Sequence, residues 1–294
     1  GESGTGKELI ARVIARLYNS EAPYVAVNVA GLDDNMFSDT LFGHLKGAFT
    51  GADADRRGMI EQAGDGVLFL DEIGDLAPGS QVKLLRLLQE GEYFPLGSDR
   101  PKRSRAKILV ATNRDLEQLQ LAGEFRKDLY YRLKTHQVQL PPLRERQDDI
   151  PLLLNHFLQL SAAELGKKVP TPPPELAVLL TTYHFPGNVR ELAGMVYDAV
   201  SCHQGAKLSM ESFKQAINAN KPLQGLAQNE DGATAQLSFH AKLPTLVQAA
   251  DLLVVEAMQR AQNNQGIAAD MLGISRPALS KRLKKMREAG LGTL

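Results

Sequence analysis

The chain has 294 residues, 43% of them hydrophobic, and 34 basic side chains balance 34 acidic ones for a formal net charge of zero. That length suggests roughly two domains of about 150 residues, with enough apolar content for a sizeable core. No run approaches the ~18 apolar residues of a membrane helix, and no signal peptide is visible. The single cysteine, Cys202, excludes an internal disulfide framework. It fits a reducing cytoplasm and is expected to be a buried, inert thiol.

The first element is a glycine-rich loop, GESGTGKE, made of Gly1, Glu2, Ser3, Gly4, Thr5, Gly6, Lys7 and Glu8. Glycines let successive N–H groups cradle phosphates, and the N-terminus of a helix expected over residues 6–19 favours negative charge. Lys7 is placed to reach β- and γ-phosphates. The generic motif continues with a magnesium-binding Ser or Thr, whereas Glu8 follows here; a flexible surface turn is the alternative. Such a loop needs a strand before it. The sequence is therefore expected to be a fragment of a longer protein, without that strand, part of the base-binding wall and any domain further upstream.

Residues 24–29 alternate and are β-branched, which signals a strand. A short helix is expected over 33–43. Residues 47–52 then read GAFTGA, with two glycines, two alanines and one aromatic. This hexapeptide makes a poor helix and a poor strand. Inside a nucleotide-binding domain it reads as a loop built to touch something else. Residues 66–71 are an apolar run ending in acid, as in a buried parallel strand. Two adjacent carboxylates at its end, Asp71 and Glu72, are costly near a core unless used. Asp71 suits magnesium coordination and Glu72 suits polarising an attacking water; a helix N-cap with a first-turn acid is the alternative.

Residues 79–91 pattern as an amphipathic helix with Val82, Leu84, Leu85, Leu87 and Leu88 inward. Residues 107–111 form another strand, ending at Thr112 and Asn113, which could sense a γ-phosphate or make a simple turn. A further strand is expected over 136–140. Strands alternating with helices imply a parallel three-layer α/β domain, here residues 1–141. After Pro141 and Pro142 the pattern turns helical over 148–165, 174–184, 188–204 and 209–219. These helices are taken as a lid, residues 142–219. A mixed polar stretch, 220–243, reads as a linker.

Residues 244–294 form a small all-α domain with helices over 245–262, 265–272 and 276–288. Gly273 ends the middle helix, Ser275 caps the next one, and Pro277 sits at its start. Leu279, Leu283 and Met286 share an apolar face. Arg276, Ser280, Lys281, Arg282, Lys284 and Lys285 supply a basic, polar surface, with Glu288 the acid near the end of the segment. This reads as a helix-turn-helix with 276–288 as the recognition helix. Arg276 and Lys281 are placed for bases, and Arg282, Lys284 and Lys285 for phosphates; a dimerisation bundle with a solvated basic face is the alternative. The apolar helix 245–261 is expected to dimerise.

The chain resembles one family: the AAA+ transcription activators of sigma-54 RNA polymerase, the NtrC-like enhancer-binding proteins. The matching stretches are GESGTGKE at 1–8, TLFG at 40–43, GAFTGA at 47–52 and LFLDEIGDL at 68–76. They continue with ATNRDL at 111–116, FRKDLYYRL at 125–133, LPPLRER at 140–146 and FPGNVREL at 185–192. The basic C-terminus resembles the family's Fis-type domain. Glu8 after the lysine is also the family's usual reading.

The resemblance implies ATP and Mg2+ as cofactors. It implies Lys7 as the phosphate lysine, Asp71 and Glu72 as the magnesium and water acids, and Asn28 as the polar partner that holds Glu72 until triggered; a capping or turn Asn is the alternative at 28. Arg126 and Arg132 resemble arginine fingers that act on the neighbouring subunit's ATP. Arg190 resembles the lid arginine that meets nucleotide in its own subunit. Fingers in trans imply a closed ring, hexameric by analogy. Phe49 and Thr50 resemble the loop tip that engages the sigma factor. The implied protein is a cytoplasmic, ATP-driven activator that binds upstream enhancer DNA and remodels a closed promoter complex. A DNA-binding repressor with a silent ATPase, or a different AAA+ machine such as a helicase loader, are the other readings.

Overall fold

The computed structural model describes residues 1–203, 205, 207–219 and 245–288. The linker expected over 220–243 lies outside the described residues. The chain divides into two compact units. The first is Gly1–Pro142 together with Gly187–Arg190; the second is Leu143–Pro186 and the residues from Glu191 onward.

In the first unit the glycine loop leads into α1 (Lys7–Tyr18), with Gly6 as its left-handed cap at φ 100°. Strand β1 (Tyr24–Asn28) follows, then α2 (Asp34–Phe42), whose N-terminal N–H groups are capped by the Asp33 carboxylate. A short antiparallel pair, β2 (Gly43–His44) and β3 (Arg56–Arg57), brackets the GAFTGA segment. Next come α3 (Met59–Ala63), β4 (Val67–Asp71) and α4 (Pro78–Glu90). A second small hairpin, β5 (Glu92–Tyr93) with β6 (Lys102–Arg103), precedes β7 (Lys107–Val110). Two short helices follow, α5 (Leu116–Leu121) and α6 (Lys127–Leu133).

The sheet is parallel in the order β1-β4-β7. In β4, Val67, Leu68, Phe69 and Leu70 are all buried. Successive strand side chains point to opposite faces, so an uninterrupted buried run means that both faces are covered. That is the three-layer α/β arrangement. The core joins Phe37, Leu41, Ile60, Leu68, Leu70, Leu84 and Leu129. Each such burial contributes about 1.5–3 kcal/mol.

The strand expected over 136–140 does not form. Residues 108–110 and 136–140 line the same cleft, and no ladder joins them. A strand exists only where a neighbour lies within hydrogen-bonding spacing, ~4.8 Å. Within α4, Leu84, Leu85 and Leu87 are buried as expected, but Val82 faces outward and Ser80 and Gln81 are buried instead.

The second unit is helical. It contains α7 (Ile150–Glu164), α8 (Pro174–Thr181), α9 (Asn188–Ser201, its first three residues belonging to the first unit) and α10 (Glu211–Ala219). The Lys167 ammonium donates to the carbonyls of Val200, Ser201 and His203 at the end of α9. A cation there satisfies orphan carbonyls and complements the helix dipole. Cys202 is exposed, against expectation, because it lies at that helix end.

The C-terminal helices are α11 (Leu246–Arg260), α12 (Gln265–Met271) and α13 (Arg276–Glu288). A capping box at Thr245 opens α11, and Asn264 caps α12. Val254, Met258, Ile267, Leu279, Leu283 and Met286 are buried.

Leu70→Ala would hollow the central strand. We expect a loss of about 2–5 kcal/mol, read as a lower urea midpoint for the first unit. An unchanged midpoint would contradict the central position of β4.

Candidate nucleotide site and DNA interface

All strands of the sheet run parallel, so their C-terminal ends share one edge, where ligands bind in open α/β sheets. Asn28 ends β1, Asp71 ends β4, and Thr112 and Asn113 follow β7. A cleft of about 790 Å³ runs beside β7, lined by Gly1, Glu2, Lys7, Ile108, Thr112, Asn113 and Leu140 among others; Asn28, Asp71 and Glu72 are not part of its lining.

The glycine loop is held from two directions. The Lys7 ammonium donates to the carbonyls of Gly1 and Glu2 at 3.1 and 3.2 Å. The buried Thr5 hydroxyl donates to the Glu2 carbonyl. On the other side, the N–H groups of Val189 and Arg190 donate to the Gly4 carbonyl. The buried Asn188 donates its amide to the Glu2 carboxylate and the Ser3 carbonyl, both at 3.0 Å. Arg190 donates to the Ser3 hydroxyl at 3.1 Å. Gly4 is obligatory here: its φ is +77°, and a Cβ would stand 2.3 Å from the Gly187 carbonyl oxygen. Glu8 points away along α1 and pairs with Arg12 at 2.8 Å on the surface.

Glu72 occupies a left-handed backbone conformation, φ 59° and ψ 45°. For a non-glycine residue this costs about 1–3 kcal/mol and persists only where the surroundings impose it. Its N–H donates to the Asp71 carboxylate at 3.0 Å, and its carbonyl accepts the Asp75 N–H. One carboxylate oxygen accepts the Asn113 N–H at 3.1 Å, and the other lies 3.8 Å from the Lys7 nitrogen. The Lys7 and Glu72 side chains are only 11% and 17% exposed, so their attraction is screened less than at a surface.

The structure thus brings Lys7, Asp71, Glu72 and Asn113 together. Asn28 is exposed and accepts the Ala30 N–H at 2.8 Å. It makes no hydrogen bond to Glu72 among the described residues; Lys7 and Asn113 hold that carboxylate. Arg126 precedes α6 and forms a two-pronged pair with Asp128 at 3.1 and 2.7 Å. That pair holds the Asp128 carboxyl below the usual carboxylate range. Arg132 reaches back to the Leu88 carbonyl near the end of α4.

The GAFTGA segment is a run of turns on the β2–β3 stem. Phe49 and Thr50 are exposed at its tip. The Phe49 ring meets the His44 ring edge-on at 4.9 Å. His44 in turn pairs with Asp39, which also binds Arg56. The stem is tied to the neighbouring hairpin: the Leu45 N–H donates to the Leu96 carbonyl, and the Leu96 N–H to the Gly43 carbonyl. His44, Asp39 and Asn188 escaped the sequence reading, although Asn188 sits in the quoted FPGNVREL stretch.

On α13, Arg276, Ser280, Lys281, Lys284 and Lys285 are exposed on the face away from Leu279, Leu283 and Met286. Arg282 differs: its Nε donates to Asp251 of α11 at 3.2 Å. This pair braces the basic helix against its neighbour.

Three family models match the chain: the sigma-54 interaction domain over residues 1–139, the AAA+ ATPase lid domain over 144–230, and the Fis family of bacterial regulatory proteins over 251–286. Regulatory protein AtoC of Escherichia coli K12 is 40% identical over 288 residues, covering 97% of this chain and 61% of AtoC. The chain joins a sigma-54 interaction domain, an AAA+ ATPase lid and a Fis-family segment. Transcriptional regulatory protein ZraR of the same strain is 42% identical, with 97% of this chain and 62% of ZraR covered. DNA-binding transcriptional regulator NtrC of that strain is 37% identical, with 97% and 64% covered. The chain therefore spans 61–64% of the length of these three relatives. Among solved structures, NtrX of Brucella abortus in complex with ADP matches with a TM-score of 0.68 at 28% identity, covering 97% of this chain and 63% of NtrX. The ATP complex of the same protein matches with a TM-score of 0.66 at 26% identity, covering 97% and 62%.

Glu72→Gln keeps the shape of the node and removes the carboxylate. We expect ATP affinity to hold while turnover falls by about 10²–10⁴-fold; calorimetry and a phosphate-release assay separate the two, and normal turnover would remove Glu72 from that role. In the C-terminal domain, neutralising Lys284 and Lys285 together should weaken DNA binding at all sequences and reduce the salt slope by about 2. An unchanged slope would mean that this face does not meet phosphate.

Proposed function

We propose that this activator binds upstream enhancer DNA through α13, assembles into a ring, and spends ATP hydrolysis on remodelling a sigma-54 RNA polymerase closed complex. The observation that carries the proposal is the pairing of a phosphate-type cradle, closed by Lys7 and Glu72, with an exposed Phe49–Thr50 tip on the same unit. The NtrX structures hold ADP and ATP in a related fold, which supports ATP as the ligand of the glycine loop.

The residue roles follow from charge and position. Lys7 would turn from the Gly1 and Glu2 carbonyls and from Glu72 toward β- and γ-phosphates. That exchange loosens one of the two contacts on the Glu72 carboxylate, the other being the Asn113 backbone N–H. Glu72 then orients the attacking water. Asn113 stands beside it to read the γ-phosphate. Ser3, Gly4 and Gly6 let the loop backbone approach the phosphates, and Arg190 lies against Ser3 for contact in the same subunit.

Magnesium on a nucleotide takes one or two protein carboxylates, the rest being water and phosphate. Asp71 at the strand end fits that requirement, and no group of three or more metal-ligating side chains occurs among the described residues. Bound Mg2+ would neutralise charge on the phosphate oxygens.

Arg126 and Arg132 are exposed on or beside α6 and would serve a neighbouring subunit's site; such fingers are worth about 10³–10⁵ in rate. A heterologous, head-to-tail ring, hexameric by family likeness, supplies them. Val247, Leu252 and Leu253 are exposed apolar residues on α11. They suit pairing of two C-terminal domains, which would read half-sites about one helical turn apart or a multiple of it. Phe49 and Thr50 meet the sigma factor.

The test is promoter opening by sigma-54 polymerase with the protein and its Thr50→Ala variant. We expect opening by the native protein and at least ~10-fold less by the variant, with ATP turnover kept, because the substitution removes a contact and not a catalytic group. No opening by either protein, despite turnover, would contradict the proposal.

A further inference from the structure

We propose that Gln81 is a positioning residue for Arg126, fixing its backbone against the turn that follows Asp71 and Glu72 in the same subunit. This rests on reading Arg126 as a finger that serves a neighbour.

Gln81 is a long polar side chain that is only 1% exposed. A buried amide is costly unless its groups are bonded. Here its Nε2 donates to the carbonyls of Leu76 and Glu124, both at 2.9 Å. Its Oε1 accepts the Arg126 N–H at 2.8 Å. One side chain therefore clasps both ends of the 124–126 segment and ties them to Leu76. Leu76 closes the short turn Ile73–Asp75, which begins directly after Glu72.

Arg114 makes a second tie between the same two segments. It donates to the Gly74 carbonyl and the Asp75 carboxylate on one side and to the Glu124 carboxylate on the other, all at 3.1–3.2 Å. Gly74 leaves room for it: a Cβ there would stand 2.8 Å from the Thr112 hydroxyl and 3.0 Å from the Arg114 Cβ. Two side chains from different elements thus bridge the turn behind the catalytic acids to the base of the finger. An apolar residue would fill the space of Gln81 without setting the height or direction of the Arg126 backbone. The amide sets both. A shift of the 71–76 segment in one subunit is then carried to the arginine offered to the next.

The test uses Gln81→Met, which keeps side-chain length and leaves the three backbone groups unbonded. We expect turnover to fall roughly 10- to 100-fold, the scale of a small misplacement, with ATP affinity unchanged. Mixed in equal amounts with Glu72→Gln, the variant should regain about a quarter of native turnover. In a random head-to-tail ring that is the share of interfaces joining an intact site to an intact finger. A defect in the variant's own site or fold would not be rescued this way.

Arg126→Ala mixed with Glu72→Gln is the reference. If the reference mixture regains activity and the Gln81→Met mixture does not, the positioning role is wrong. Full turnover by Gln81→Met alone also overturns it. If Arg126→Ala is itself fully active, or its mixture stays silent, the finger reading fails and the Gln81 role with it. Should Gln81→Met give no soluble oligomer, Arg114→Met breaks the second tie from the surface and must show the same rescue; absence of rescue there overturns the proposal.

Discussion

The site depends on a carboxylate held at the end of the central strand. β4 is buried on both faces up to Leu70, and the next two residues are acids. Glu72 can be retained there because each of its polar groups is bonded: N–H to Asp71, carbonyl to Asp75, carboxylate to Asn113 and beside Lys7. Those contacts impose a left-handed backbone on a residue that would otherwise avoid it. The same constraint draws the glycine loop, the end of β4 and the segment after β7 into one place. In the function proposed above, nucleotide phosphate competes for Lys7, so the contact that balances the charge is also the one that ligand binding would exchange.

Two hydrogen-bonded ties stand out in this unit. One runs through Leu76 and Gln81 to Arg126. Another starts at the β2–β3 stem, whose Gly43 and Leu45 are bonded to Leu96 beside the small hairpin. The GAFTGA tip is small, glycine-rich and anchored at its base, with Phe49 resting on His44. Such a loop has few buried contacts to lose when it moves. Its anchor, in contrast, is bonded on both sides of β2 to Leu96, through the Leu45 N–H and the Gly43 carbonyl.

Much of this was legible in the sequence because it is local. The helix of 276–288 announces itself through Ser275, Pro277 and the spacing of Leu279, Leu283 and Met286, all of which are nearest-neighbour chemistry. The buried strand 67–71 reads from four apolar residues in a row. The α/β class and the helical segments after residue 142 follow from the same local patterns. What was not legible depends on partners distant in the chain. Residues 136–140 have strand-like composition but no neighbouring strand to pair with. Val82 and Gln81 exchange inside and outside because Gln81 has Glu124 and Arg126 waiting for its amide, which no helical periodicity encodes. Of the two readings of Asn28, the structure shows the turn contact, to the Ala30 N–H; the Glu72 carboxylate lies on Lys7 and on a backbone N–H from Asn113, and a backbone donor leaves no residue-type signal. Arg282 has the look of a phosphate contact, but Asp251 on a neighbouring helix claims it.

The central claim is that nucleotide at Lys7 and Glu72 moves the loop carrying Phe49. The chain contains no tryptophan, so Phe49→Trp places a single reporter at the tip, against His44. The measurement is its emission as ADP with aluminium fluoride is added, alongside the same titration in a Lys7→Ala background. We expect a shift in emission wavelength or intensity that saturates with nucleotide binding and is absent when Lys7 is removed. Unchanged emission in a protein that binds and hydrolyses ATP would contradict the coupling.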